Sequence, residues 1–136
     1  MNKRIIQTNN APAALGPYSQ AVGAGNFLFI SGQIPIDPSS GEFLKGEIEE
    51  ETERTLKSLE AILKADDLSM ENVIKTTVYL TDLSHFSRMN VIYEKFFKGH
   101  KPARACVQVA ALPKGSKIEI EAIAFKDNPI LYGQQK

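Results

Sequence analysis

The sequence predicts an α+β fold, a two-layer sandwich in which a mixed sheet of about six strands carries two helices on one face. Three observations lead there. Residues 47–65 and about 84–97 repeat apolar residues every three to four positions, the period of a helix with one buried side. Six shorter runs are rich in β-branched and aromatic residues, the composition of strands. They alternate as β-β-β-α-β-α-β-β, and two helices must bury their stripes against that one sheet. A length of 136 residues, without repeats or linkers, fits a single domain spanning 1–136.

"RIIQT" (4–8) reads as a first strand, and "NNAPAALGP" (9–17) as loop, because two prolines and a glycine oppose regular structure. "YSQAVGAGNFLFISGQI" (18–34) reads as a hairpin turning at Gly25-Asn26. A turn-rich loop follows over 35–46. The first helix, 47–65, carries Ile48, Thr52, Leu56, Leu59, Ile62 and Leu63 on one stripe, and Glu47, Glu49, Glu50 and Glu51 suit its positive N-terminal end. "NVIKTTVYLTD" (72–82) is a strand, and Asp82 or Ser84 caps a second helix whose Phe86, Met89, Tyr93, Phe96 and Phe97 share a face. "KGHKP" (98–102) breaks that helix. Strands over about 104–111 and 117–125 close as a pair around "LPKGS".

Charge and cysteine content narrow the function classes. Sixteen basic and sixteen acidic residues give zero formal net charge, which argues against a nucleic-acid partner and opposes self-association little. Cys106 is the only cysteine, so no internal disulfide forms. His85, His100 and Cys106 stand at no metal-site spacing. No apolar stretch is long enough for a signal peptide or a membrane span, so a cytoplasmic protein without membrane contact is expected.

The last two strands pose the chemical question. Arg104, Cys106 and Gln108 alternate with Ala105, Val107 and Val109, and Glu119 and Glu121 alternate with Ile118 and Ile120. A hairpin centred on Pro113 would set Cys106 opposite Glu119 and Arg104 opposite Glu121, with the isoleucines facing the helices. One reading of that polar face is an ion pair at a surface or interface. The other is a site: an arginine fork gripping a carboxylate, beside a glutamate that holds and activates water.

"APAALGPYSQAV", "FISGQIPIDPSSGE", "VIKTTVYLTDL", "MNVIYEKFF" and "KPARACVQVAALPKGSKIEIEAIA" favour the second reading. These stretches closely resemble signatures of the reactive intermediate deaminases (the RidA or YjgF-type imine deaminases), in family order from about residue 5 to 125. The resemblance implies a chorismate-mutase-like fold assembled as a homotrimer, with sites at subunit interfaces. It implies hydrolysis of 2-imino and 2-enamino acids (2-aminoacrylate, 2-iminopropanoate, 2-iminobutanoate) to 2-keto acids and ammonia, with no metal or organic cofactor. Position by position, Arg104 would bind the substrate carboxylate, assisted by the backbone N–H of Cys106, and Glu119 would position water. Tyr18 would close the pocket from a neighbouring subunit, Ser31 and Gly32 would line it, and Asn90 belongs to the same region.

Plainer roles exist for several of these residues. Tyr18 also reads as a core or interface aromatic, Ser31-Gly32 as a strand-end bend, Asn90 as a structural hydrogen-bonding residue, and Glu121 as the partner of a lysine or arginine. The Cys106 thiol reads as packing rather than as a nucleophile. Two other functions compete: a small-metabolite-binding regulator using the same pocket, and a ribonuclease or translation inhibitor. Retention of Glu119 favours hydrolysis over the first, and zero net charge disfavours the second.

Overall fold

A computed structural model describes residues 3–127; the extreme ends of the domain expected over 1–136 lie outside the described residues. The elements are β1 (Lys3–Ile6), β2 (Ala21–Ala24), β3 (Phe27–Gln33), α1 (Ile48–Ala65), β4 (Val73–Leu80), α2 (Phe86–Phe96), β5 (Ala103–Gln108) and β6 (Ile118–Phe125). All eight expected elements form, in the expected order. Gly25 takes φ 59 at the β2–β3 turn, a left-handed backbone that favours glycine.

Each helix begins where its capping chemistry directs. At the start of α1 the Glu47 N–H donates to Glu50 Oε1 at 3.0 Å, and three acids fill the first turn. The predicted stripe, Ile48 through Leu63, is buried along its whole length. The chain leaves α1 through Asp67 at φ 58, and the Leu68 N–H closes back onto the Leu63 carbonyl at 2.9 Å. Ahead of α2, Asp82 accepts from the Ser84 N–H at 2.8 Å and starts a 3₁₀ turn that runs into the helix.

The sheet runs β1-β2-β3-β6-β4-β5. Its helix-facing residues Leu28, Ile30, Val78, Leu80, Ile118, Ile120 and Ala124 are buried beneath α1 and α2 together with Leu56, Leu59, Ile62 and Met89. Full burial of a large aliphatic side chain contributes roughly 1.5–3 kcal/mol, so this layer is the main stabiliser. Among the described residues nothing covers the opposite face: Phe27, Phe29 and Val107 stay 41%, 47% and 42% exposed.

One expectation fails here. The last two strands do not pair with each other. β5 lies parallel to β4 at the sheet edge, reached by the β4-α2-β5 crossover, and β4 separates it from β6. The connection 109–117 passes over the end of β4 instead of turning back: Val109 N–H bonds to the Leu80 carbonyl, and Thr81 N–H bonds to that of Lys117. Consequently Thr76 stands beside both Arg104 and Ala122, whereas Tyr79 stands beside Glu119 and Val107. Arg104 and Cys106 therefore lie on the helix side, and Glu119 and Glu121 on the uncovered side. The single polar face expected from a hairpin is divided between the two sides of the sheet.

Glu51 anchors the start of β6 from within the core. It is fully buried, and its carboxylate accepts from the Lys117 N–H at 2.8 Å and from Lys117 Nζ at 3.3 Å. Lys117 Nζ also donates to the Gly46 carbonyl at 2.9 Å, which ties the loop before α1 to the strand that bears Glu119. Removing the carboxylate leaves a buried N–H without an acceptor. Glu51→Ala is expected to lower unfolding free energy by about 2–4 kcal/mol, measured by chemical denaturation.

Candidate active site

The expected site residues fall into two clusters on opposite faces. The first is built on α2 and β5. Phe86, Asn90 and Tyr93 lie on successive turns of α2 and face the outer strand. Arg104 comes up from β5 against all three: Cζ sits 5.3 Å from the Phe86 ring centroid and 4.7 Å from that of Tyr93, and Nη1 donates to Asn90 Oδ1 at 2.7 Å. Among the described residues no carboxylate pairs with this half-buried guanidinium. A cation kept partly out of water without an anion is a receptor for one. Beside it runs a cleft of about 410 Å³ lined by Asn90, Tyr93, Glu94, Phe97, Lys101, Pro102 and Arg104; Glu94 makes no ion pair with the arginine.

Cys106 follows Arg104 on the same side, half-buried. Burial pushes its thiol pKa up, and the nearby Arg104 charge offsets this only in part. A protonated thiol is a poor nucleophile, which fits packing better than covalent chemistry. The Val109 N–H points at β4, so backbone alternation turns the Cys106 N–H toward the open edge of the sheet, where it is available to a ligand.

The second cluster surrounds Glu119 on the uncovered face. A cleft of about 390 Å³ is lined by Tyr18, Gly32, Ile34, Pro113 and Glu119, with Leu15 on its rim. Burial first, and then the charge of Glu121, raise the Glu119 pKa. Among the described residues Glu121 has no lysine or arginine partner of the kind expected; it accepts from the Tyr79 hydroxyl at 3.1 Å.

Gly32 owes its identity to this carboxylate. It sits in a β-bulge between Ile30 and Gln33 of β3, not in a bend at the strand end. A Cβ there would fall on Glu119 Oε2 and lie 2.8 Å from Cδ. The obstacle is the end of a side chain, so the fold can absorb a methyl group by displacing the carboxylate. Gly32→Ala is expected to keep a thermal midpoint near wild type while any turnover that needs Glu119 falls about tenfold to a hundredfold. Melting curves and initial rates check both halves of that statement.

Ser31 is not among the residues lining this cleft; its hydroxyl donates to the Ser19 carbonyl at 2.6 Å and steadies the loop carrying Tyr18. Tyr18 is 53% exposed at the cleft, not packed in the core. Gln20, which sequence reasoning missed, does most to shape this loop. Its buried amide donates to the carbonyls of Thr8, Ala11 and Pro12 and accepts from the Thr8 N–H. A glutamine beside a short strand carries no local signal of such a role.

The structure thus brings Arg104, Asn90 and Cys106 together, and separately Tyr18, Gly32 and Glu119. Among the described residues no three His, Cys, Asp or Glu side chains cluster as metal ligands would, and no helix is long and apolar enough to cross a membrane.

An α+β chain with these two clusters defines a class that comparison identifies. Residues 8–126 match the family model described as Endoribonuclease L-PSP, and the chain belongs to this YjgF/RidA family. A RutC family protein of Pyrococcus horikoshii is 54% identical over 125 residues, 92% of this chain and 99% of that protein. The human 2-iminobutanoate/2-iminopropanoate deaminase is 52% identical over 124 residues, 91% of this chain and 90% of that one. The crystal structure of Escherichia coli TdcF with bound serine superposes with a TM-score of 0.87 at 45% identity, covering 91% of this chain and 99% of that one.

Proposed function

We propose that the chain is a hydrolytic deaminase of small 2-imino acids, and that it acts as a trimer in which the Arg104 cluster of one subunit meets the Glu119 cluster of the next. The observation that carries this is the division itself. The arginine and the glutamate lie on opposite faces of one sheet, and the face bearing Glu119 exposes aromatic side chains that nothing among the described residues covers. Phe27 packs on Phe125 there with ring centroids 5.4 Å apart, and Phe29 stands beside them. Exposed apolar area of this kind is what a subunit interface covers. The likeness to deaminases of 52% identity supports the reaction, and bound serine in the TdcF structure shows that relative taking a small carboxylate-bearing molecule.

The reaction needs little beyond positioning. A 2-enamino acid tautomerises to the imine, whose protonated form has an electrophilic carbon next to its carboxylate. Arg104 and the Cys106 N–H hold the carboxylate, with Asn90 fixing the guanidinium. Glu119 orients a water and accepts its proton as the water oxygen bonds to C2. The resulting carbinolamine takes a proton on nitrogen, returned by Glu119; the ionised Glu119 then accepts the hydroxyl proton as the C=O bond forms and the C–N bond breaks, and passes it to the departing ammonia. One water enters the protonated imine, and a 2-keto acid and ammonium leave. Ile34, Leu15 and Pro113 offer an apolar wall that suits a short aliphatic substituent.

A regulatory binding protein would use the same carboxylate receptor, and rates separate the two functions. A threonine dehydratase generates 2-iminobutanoate in the presence of semicarbazide, which traps the imine. The proposal requires 2-oxobutanoate to form faster with the protein than in buffer. Equal rates would reject the deaminase and leave the binding function.

A further inference from the structure

We propose that Tyr93 is a positioning residue for carboxylate binding: with Phe86 it cages the Arg104 guanidinium so that the free edge of the fork faces the cleft. The inference rests on Arg104 being the carboxylate binder, and it adds what makes that arginine selective. Arginine on an edge strand has a long side chain with many rotamers, and ordering it on binding would weaken affinity. Here the ordering is done in advance. The cation lies against two ring faces, with Asn90 occupying only one of its nitrogens, Nη1. Among the described residues the remaining guanidinium N–H groups donate to no protein acceptor. Stacking on ring faces leaves a planar cation its edge, and the edge is what a planar carboxylate meets with two parallel bonds.

Tyr93 is itself locked. Its ring stacks on Phe97 with centroids 4.5 Å apart, and its hydroxyl shares a buried 2.7 Å hydrogen bond with Thr76 Oγ1. Thr76 is the residue directly beside Arg104 across the β4–β5 ladder. The strand that fixes the backbone of Arg104 therefore also fixes the ring on which its charge rests. A merely structural tyrosine would need the Thr76 bond and the Phe97 stack but would not need to face the cation.

The test compares wild type with Tyr93→Leu, Tyr93→Phe and Phe86→Leu. It reads KM and kcat in the dehydratase-coupled assay, the Kd for 2-oxobutanoate by calorimetry, and the Arg104 Nε–H resonance. Tyr93→Leu is expected to raise KM and Kd about tenfold while kcat changes less than about threefold, because the cage acts on ground state and transition state alike. The Nε–H resonance, shifted upfield by the rings, is expected to move downfield. Tyr93→Phe keeps the ring and is expected to recover most of the affinity. Phe86→Leu removes the more exposed ring; it is expected to weaken binding in the same direction and serves if Tyr93→Leu folds poorly. Unchanged binding and an unmoved resonance in folded variants would overturn the cage, as would a loss confined to kcat. If wild type shows no turnover but 2-oxobutanoate binding follows the variant series, the deaminase reading falls and the cage stands. Wild type that neither binds nor turns over overturns both.

Discussion

Arg104→Ala is expected to lower kcat/KM for 2-iminobutanoate by roughly a hundredfold to a thousandfold, about 3–4 kcal/mol, while the protein stays folded. The size follows from what the side chain does. It supplies charge-assisted bonds to a carboxylate in a partly desolvated cleft, and without it the substrate anion would lose water and gain no partner. Folding should tolerate the change, since among the described residues the guanidinium bonds Asn90 alone and rests on two rings, and no buried carboxylate depends on it. Arg104→Lys is expected to recover part of the loss. It keeps the charge but gives up the planar fork. Equal rates for wild type and the alanine variant would remove Arg104 from substrate binding.

Glu119→Gln is expected to cut kcat about a hundredfold or more, the usual worth of a positioned proton acceptor, with substrate binding nearly kept. Its pH signature is specific. The folded Glu119 pKa lies above the ordinary value of 4.5, raised chiefly by burial and then by Glu121. The acid limb of wild-type activity should therefore sit above that value, because Glu119 must be ionised to accept a proton. Stability carries the same sign. A carboxyl whose pKa is raised by folding favours the folded state while protonated, and loses that advantage as pH rises from 4.5 through its folded pKa. Glutamine avoids the loss. Glu119→Gln should melt no lower than wild type near neutrality, and its advantage should vanish below about pH 3.5, where wild type is protonated in both states. The shift belongs to the single subunit, so a variant that melts lower at neutral pH would mean that ionised Glu119 is held by a favourable contact from outside it, as the Arg104 cluster of a neighbouring subunit would supply.

The sequence carried the elements better than their neighbours. Helical and strand periods are local, so the stripe from Ile48 to Leu63 and the strand 72–82 could be read without knowing what they touch. Asn90 was legible as an amide set into the aromatic stripe of α2, and Arg104 as a charge in a strand that otherwise reads as core. Strand pairing is not local. The connection 109–117 is short enough for a hairpin, and only the placement of β4 between β5 and β6 excludes one. Because strand faces alternate with every residue, that change of neighbour moved Arg104 across the sheet from Glu119. The role of Gly32 was hidden for the same reason: the carboxylate above it comes from β6, far away in the chain.

Mixing two inactive variants tests the composite site most directly. Arg104→Ala chains and Glu119→Gln chains would be unfolded together, refolded at equal concentration and assayed on 2-iminobutanoate, beside each variant refolded alone. If every site takes Arg104 from one subunit and Glu119 from the next, random assembly makes about a quarter of the sites whole, and roughly that share of wild-type activity should return. If the mixture is no more active than the sum of its parts although the chains have exchanged, the two clusters do not meet across an interface, and the account of a shared site is wrong.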